Sequence, residues 1–179
     1  MDKIQTSRLI LRRWQESDRA PFAQLNADPR VMEYMPGLLS ADENNDLVDR
    51  IENDFRDRGF GWFAVELAST QTFIGFIGLS VPRFEASFTP CVEIGWRLAF
   101  DYWGNGYATE GAASVLNYGF TQLQLPQVVS FTVPANRRSR RVMERIGLEF
   151  VGTFNHPVLP PGHPLEQHFL YAGSAPSPV

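Results

Sequence analysis

Short runs in which every second residue is apolar predict seven strands along the chain. In the first run, over residues 6–14, Leu9 and Leu11 alternate with long or charged side chains. Runs of the same kind predict the remaining strands over residues 60–67, 73–81, 91–100, 128–133, 149–155 and 168–172.

Apolar residues at helical spacing predict four helices among these strands. In the second helix Leu47, Ile51 and Phe55 recur every four residues, after an N-cap at Ser40 and before a glycine at position 59. The other three follow Ser17-Asp18, a glycine-rich stretch at residues 104–111, and Asn136. The order of strand, two helices, three strands, helix, strand, helix and two strands predicts a mixed α/β (α+β) fold with a largely antiparallel sheet. We expect residues 1–173 to form a single domain and residues 174–179 to be a disordered tail.

Composition and charge narrow the class of protein. Among 179 residues, 44% are hydrophobic and 20% are charged, which is typical of a soluble globular domain. The net charge of −4 argues against a general nucleic-acid binder, which should be basic. No apolar run approaches the roughly 18 residues of a membrane span. With a single cysteine, Cys91, the chain has no intrachain disulfide, and we expect a cytoplasmic protein.

The glycine-rich stretch lies where a predicted strand meets a predicted helix. Gly104, Gly106 and Gly111 allow positive φ and a close approach of backbone to ligand. Free N–H groups at a helix start attract anions, so the stretch predicts a site for a phosphate-bearing cofactor. The alternative is a tight turn that only connects the two elements.

Two common phosphate-binding motifs do not account for this turn. A dinucleotide-binding fingerprint requires a third glycine where Thr109 stands, and an acidic residue after the next strand. A P-loop requires Gly-Lys-Ser/Thr, which the chain lacks.

Three motifs in register resemble those of the N-acetyltransferases of the GNAT superfamily. The stretch Trp103-Gly104-Asn105-Gly106-Tyr107-Ala108 resembles their acetyl-CoA pyrophosphate loop, although Trp103 occupies a position that is Arg or Gln in the general pattern. Continued through Thr109-Glu110, it resembles the branch that contains the ribosomal-protein N-terminal (alanine/serine) acetyltransferases. Thr6-x-Arg8-Leu9-x-Leu11-Arg12 and Asn136-x-x-Ser139-x-Arg141-Val142-x-Glu144-x-x-Gly147 resemble the first strand and second CoA motif of that branch.

The resemblance implies a three-layer α/β/α fold, with a central, splayed, mostly antiparallel mixed sheet of about seven strands and about four helices. The strands over residues 91–100 and 128–133 would run parallel and diverge, and CoA would enter the wedge between them. Pantetheine would contact backbone at Leu98, Ala99 and Phe100. The diphosphate would lie on the turn formed by Trp103, Gly104, Asn105, Gly106, Tyr107, Ala108 and Thr109.

The fourth helix carries five arginines with only Glu144 opposing them: Arg137, Arg138, Arg140, Arg141 and Arg145. Arginine suits phosphate through its planar fork, and beside the second CoA motif we expect Arg137, Arg138 or Arg141 near the 3′-phosphate. The alternative is a solvated helix face. Asn136 would contact pantetheine and can also be the helix N-cap.

The resemblance also frames the candidate catalytic groups. Ser139 would protonate the departing thiolate, because Met143 stands where many members of the family have an acidic tyrosine. A surface serine that only solvates the helix is the alternative. Glu93 interrupts an apolar strand, so burial should raise its pKa and make it a general base. The alternative for Glu93 is a structural pair with Arg97.

The three histidines are weaker candidates. His168 is a second possible base, and His156 and His163 flank a proline-rich loop at the expected acceptor mouth. Their spacing predicts no metal site. Cys91 has no paired histidine motif or cationic helix start, so we expect a core residue rather than a nucleophile.

These expectations combine into one function. The chain would transfer acetyl directly from acetyl-CoA to a primary amine, either a protein N-terminus or a small molecule, in a ternary complex, as a monomer or homodimer. The alternative is a non-catalytic CoA-binding regulatory module. A nucleotide-binding interaction domain is disfavoured by the acidic charge and the missing dinucleotide fingerprint.

Overall fold

In a computed structural model that describes residues 3–175, the chain folds into eight strands and four α-helices. The strands are β1 (Lys3–Gln5), β2 (Leu9–Arg12), β3 (Trp62–Leu67), β4 (Phe73–Ser80), β5 (Glu93–Leu98), β6 (Gln127–Thr132), β7 (Glu149–Asn155) and β8 (Gln167–Ser174). The helices are α1 (Arg19–Asn26), α2 (Ala41–Arg58), α3 (Tyr107–Thr121) and α4 (Arg137–Arg145).

One mixed sheet contains all these strands, in the order β1-β2-β3-β4-β5-β6-β8-β7. Each neighbouring pair is antiparallel except β5 and β6, which run parallel. This confirms the predicted mostly antiparallel mixed sheet. It has one strand more than predicted, because β1 (Lys3–Gln5) lies before the run over residues 6–14 and pairs with β2 across a turn in which the Thr6 N–H donates to the Leu9 carbonyl at 2.9 Å.

Helices cover both faces of the sheet. Phe76 and Ile77 are neighbours on β4, so their side chains point to opposite faces. Phe22 of α1 packs edge-on against Phe76, with ring centroids 6.0 Å apart. On the other face Gly111 of α3 lies against Ile77 so closely that an added Cβ would meet its Cδ1. The predicted three-layer arrangement is therefore present.

Two helix starts differ from the sequence prediction. Asp18 is the N-cap residue of α1, but its side chain makes no cap hydrogen bond; its carboxylate instead accepts from Arg12 at 2.7 and 3.0 Å, inside a buried cluster with Glu66. A buried carboxylate beside a guanidinium is held by the ion pair rather than by the helix start. Helix α3 begins at Tyr107 rather than Ala112, and this brings the predicted phosphate-binding residues into its first turn.

The C-terminal strand extends to Ser174, which pairs with Gln127, one residue into the stretch predicted as a tail. Residues 176–179 of that stretch lie outside the described residues. Over residues 3–175, no helix has both the length and the hydropathy that crossing a bilayer requires.

Candidate functional site

A wedge opens in the sheet between the two parallel strands β5 and β6. Their described residues share one registered pair, Glu93 with Val129, where the Val129 N–H donates to the Val92 carbonyl at 2.9 Å. One residue further on, the Ser130 hydroxyl donates to the Ile94 carbonyl at 2.9 Å. Beyond that bridge the strands separate, which is the divergence that the resemblance implied.

A cavity of about 510 Å³ occupies this wedge and continues over the glycine turn. Most of the predicted cofactor residues line it: Leu98, Trp103, Gly104, Gly106, Tyr107, Ala108, Thr109, Asn136, Arg138, Ser139 and Arg141. Ala99, Phe100, Asn105 and Arg137 do not line it. The catalytic candidates Glu93 and Ser139 both do.

The backbone of β5 faces the wedge at other residues than predicted: Leu98 faces it as expected, but Ala99 does not. Backbone groups of successive strand residues point to opposite edges. The Ala99 N–H points away from the wedge and donates to the Ile74 carbonyl at 2.8 Å, so it has no free donor for a ligand. Trp96 and Leu98 face the gap instead. The Leu98 carbonyl also accepts from the indole of Trp103 at 2.8 Å, and this contact ties the turn to the strand.

The glycine turn presents backbone N–H groups in the form that an anion requires. Gly104 and Gly106 have φ values of 78° and 79°, which non-glycine residues rarely adopt. Gly106 is the N-cap of α3, and its carbonyl accepts the first helical bond from Glu110 at 3.0 Å. The N–H groups of the three residues between have no intrahelical acceptor. A Cβ at Gly104 would meet no atom within 4 Å, so the surface above the turn is open and fits a diphosphate.

A polar clamp that sequence reasoning missed holds this turn in place. Glu110 accepts hydrogen bonds from the hydroxyls of Thr6 and Ser7 and from Arg8, whose Nε is 2.6 Å away. Burial acts to raise the pKa of Glu110, but the bonds from Thr6, Arg8 and Ser7 outweigh it and lower the pKa. Arg8 also donates to the Asn105 carbonyl at 2.9 Å. The sequence signal that could have revealed this clamp is the presence of Thr6, Arg8 and Glu110 within the recognised motifs.

Helix α4 forms the opposite wall, and its arginines differ in role. Arg141 and Arg145 line the cavity. Arg140 donates to the Tyr171 hydroxyl and the Pro134 carbonyl, so it supports the fold. Arg138 pairs with Glu33 and lies over the ring of Trp103, 4.7 Å from its centroid. Arg138 thus bridges α4, the turn and the segment before α2.

The start of α4 orients the candidate acid. Asn136 is the N-cap, and its Oδ1 accepts the Ser139 N–H at 3.2 Å. Its amide nitrogen donates to Thr132 at 3.1 Å, so the predicted cap is observed and the side chain has a defined orientation. Ser139 lines the cavity one turn into α4, and Met143, which is buried, lines it as well.

Glu93 lies at the closed end of the wedge and is not paired with Arg97. Burial raises the pKa of Glu93 to about 7, and a hydrogen bond from Ser80 at 2.7 Å partly opposes the shift. No ion pair among residues 3–175 joins Glu93 to Arg97, so the structural alternative for Glu93 is wrong. The two side chains are four residues apart on an extended strand, roughly 13 Å between Cα atoms.

The histidines lie outside the cavity, against expectation. His156 and His168 pack, with tilted or edge-on rings, among Phe84, Phe131 and Phe154 near the end of β6, and the two histidine ring centroids are 5.1 Å apart. Neither ring lines the cavity, nor does His163. The cavity lining therefore gives no support to His168 as a base or to His156 and His163 as mouth residues; His156 and His168 lie behind Phe131, which lines the cavity.

The thiol of Cys91 is also unsuited to nucleophilic chemistry. Burial and the neighbouring Glu93 raise its pKa to about 11, so the thiol stays protonated at neutral pH. Together the wall residues form one site with a carboxyl group that ionises near neutrality, a hydroxyl and an open N–H cradle.

Known proteins are similar to this chain in sequence and in fold. A family model described as an acetyltransferase (GNAT) domain matches residues 8–149. YkkB of Bacillus subtilis (strain 168) is 32% identical over 160 residues, covering 87% of this chain and 92% of that protein. A crystal structure of a GNAT-family acetyltransferase from Bacillus anthracis has a TM-score of 0.79 and 28% identity, covering 96% of this chain and 98% of the other. RimJ of Mycobacterium smegmatis in complex with CoA-disulfide has a TM-score of 0.75 at 22% identity, covering 93% and 82%, and supports the fold alone.

Proposed function

This chain belongs to the GNAT acetyltransferase family, and on that premise we propose that it uses acetyl-CoA to acetylate a primary amine. It is an acyltransferase, and the proposal concerns its donor, its acceptor and its site residues. Transfer is direct, within a ternary complex. The observation that carries the proposal is the wedge between β5 and β6 ending at a helix start with free N–H groups. An elongated donor with a charged middle and a reactive end fits that shape.

The residues around the cavity divide into those for the donor and those for the chemistry. The N–H groups of Tyr107, Ala108 and Thr109 would hold the diphosphate. Trp96 and Leu98 would bond pantetheine through the backbone groups that β6 leaves free. Arg141 and Arg145 supply positive charge on the facing helix.

Side chains on the two walls of the cavity, Glu93 on β5 and Ser139 on α4, transfer the protons. Bound acetyl-CoA supplies an activated acetyl group, and the C–S bond is exchanged for a C–N bond to the acceptor. Glu93 takes the proton that the amine nitrogen loses, since a carboxyl group with a pKa of about 7 is well matched to this role. Ser139 gives a proton to the thiolate that leaves and recovers one from solvent. The Leu98 N–H polarises the carbonyl that is attacked.

The hypothesis of a non-catalytic CoA-binding module has less support. Only Met143, which has no proton to give, favours it. Glu93, by contrast, is held by Ser80 inside the cavity with a pKa suited to proton transfer, and a pure binding site has no need of such a group.

Two measurements on the purified chain test the proposal. Isothermal titration should detect acetyl-CoA binding, and a thiol assay should show CoA release that depends on an added primary amine. A panel should include small amines, amino acids and short peptides. Absence of binding at millimolar acetyl-CoA would refute the donor, and binding without release for any amine would refute turnover.

Ser139→Ala should lower kcat by about 10²-fold, the lower end for general acid–base groups, because a thiolate leaves more readily than an amine does. KM for acetyl-CoA should change little, since the Asn136 cap uses the backbone N–H of this residue and not its hydroxyl. Steady-state kinetics provide the measurement, with Ser87→Ala in the exposed 81–92 loop as the control. Unchanged turnover would assign the proton to solvent.

A further inference from the structure

Arg97 of β5 is a desolvated cation on the cavity wall, and no carboxylate among residues 3–175 pairs with it. Its guanidinium donates to Asn26 Oδ1 at 2.6 Å and to the Met35 sulfur at 3.1 Å, and it lies 5.5 Å from the ring centroid of Phe76. None of the ion pairs among residues 3–175 includes it. Desolvation lowers its pKa to about 10. Arg12, by comparison, has two carboxylates, Asp18 and Glu66.

The Arg97 side chain is nevertheless held in a defined position. Asn26 and Asn44 are both fully buried, and the Asn26 amide nitrogen donates to Asn44 Oδ1 at 2.6 Å. This bond orients the Asn26 oxygen toward Arg97. A neutral oxygen orients a guanidinium without neutralising it, so the positive charge stays available to a ligand in the cavity.

A second unused donor lies on the same wall. Trp62 Nε1 is buried and has no hydrogen-bond acceptor within the described part of the chain. It faces Gly95, where an added Cβ would be 3.6 Å from this nitrogen. The ring is fixed by stacking on Phe76, with centroids 4.6 Å apart and planes at 17°. Buried donors are rarely left unpaired, which suggests that a ligand oxygen completes this one.

These donors and the candidate base lie in a row. Glu93, Gly95 and Arg97 share one face of β5, because alternate strand residues point the same way. The Trp62 N–H therefore lies between the carboxylate and the guanidinium. Each two-residue step along a strand is roughly 7 Å. A ligand that extends from Glu93 to the Trp62 N–H and the Arg97 guanidinium is therefore a small molecule.

We infer that the amine acceptor is a small molecule that also carries a carboxylate, such as an amino acid, with the carboxylate bound by Arg97 and the Trp62 N–H and the amine directed to Glu93. This inference rests on the proposed acetyl transfer and names its acceptor class. A polypeptide N-terminus presents an amide next to its amine, and an amide would leave the charge of Arg97 unmatched. The carboxylate both neutralises Arg97 and accepts from the indole.

The test compares acceptors that differ only in this group. Initial rates are measured for an amino acid, its primary carboxamide and the amine that lacks the carboxyl carbon, using the thiol assay with saturating acetyl-CoA. For the wild-type chain we expect kcat/KM to be about 10- to 100-fold higher for the acid, the effect of a charge-assisted hydrogen bond. Arg97→Gln should remove the preference by raising the KM of the acid, so that the acid and the plain amine have similar kcat/KM. Arg97→Lys should restore part of it.

Arg56→Gln, an exposed position on α2, is the matched control and should keep the wild-type preference. Equal wild-type rates on the acid and the carboxamide would overturn the inference and leave acetyl transfer intact. Faster turnover of a peptide with an amidated C-terminus than of any free amino acid would do the same. If no amine releases thiol, the proposed function fails, and the inference with it. Should Arg97→Gln fail to fold, the wild-type ratio alone decides.

Discussion

Replacing Gly106 with tryptophan should abolish detectable acetyl-CoA binding. Gly106 has a φ of 79° at the N-cap of α3, where any L-residue with a side chain is strained. An indole here would also lie over the N–H groups that would hold the diphosphate. Loss of several charge-assisted hydrogen bonds at about 1.5–3 kcal/mol each predicts a dissociation constant raised by at least about 100-fold. Isothermal titration with acetyl-CoA measures this.

The control for Gly106→Trp isolates backbone strain from site geometry. Gly59, after α2, has the same φ of 79°, and a Cβ there would meet nothing within 4 Å. Gly59→Trp should therefore be destabilised by the same strain and still bind acetyl-CoA. Wild-type affinity in the folded Gly106→Trp variant would refute the assignment of the turn as the diphosphate site. Thermal unfolding of both variants establishes that they are folded.

Replacing Glu93 with glutamine should lower kcat by about 10²- to 10⁴-fold, the contribution of a general base. Glutamine keeps the size of the side chain and can still accept the Ser80 hydroxyl, so the cavity should be preserved. Acetyl-CoA affinity should be unchanged. Steady-state kinetics together with titration separate the two effects. Glu85→Gln, at an exposed loop position, is the control and should retain full activity.

The role of Glu93 as a base also predicts the direction in which activity changes with pH. A base works in its ionised form, so wild-type activity should fall as pH decreases through about 7, where burial has raised the pKa of Glu93. The unprotonated fraction of the acceptor amine also falls as pH decreases. The ratio of wild-type to Glu93→Gln activity at each pH removes that common contribution. A ratio that does not change between pH 6 and 8 would exclude Glu93 as the base.

The free energy of unfolding should also depend on pH through the raised pKa of Glu93, and this effect can be measured without an activity assay. The pKa of Glu93 is higher in the folded state than the ordinary value of roughly 4.3 in an unfolded chain. The folded protein therefore binds this proton more tightly, and the free energy of unfolding should decline as pH rises from about 4.5 to about 7. Glu93→Gln lacks this loss, so it should gain stability relative to wild type at pH 8 compared with pH 5. Thermal unfolding at both pH values is the measurement, and an equal difference at the two would contradict the burial.

Much of the donor side of the site was predictable because its residues are adjacent in the chain. Trp103 to Thr109 form a turn whose shape depends on local φ angles and a helix start, and glycine at two fixed positions encodes both. Asn136 and Ser139 likewise meet within one helical turn. Alternation along β5 placed Glu93 on one face before any neighbour was known.

The acceptor side depended on contacts between distant positions, which residue patterns do not specify. Whether Glu93 pairs with Arg97 or with Ser80 is decided by the register of β4 against β5, which sets Ser80 opposite Glu93. The histidines were expected at the mouth, but the pairing of β7 with β8 brings His156 and His168 into an aromatic cluster around Phe131.

The sequence by itself determined the glycine turn, the caps of α2 and α4 and most of the succession of strands and helices, because each depends on backbone preferences within a few residues. Only the tertiary structure decided which charges are neutralised. Arg8 reaches Glu110 across 102 residues of chain, and Arg97 meets Asn26 across 71. Desolvation and ion pairing are set by what surrounds a side chain in space, and this environment is assembled only when the sheet and its helices pack together.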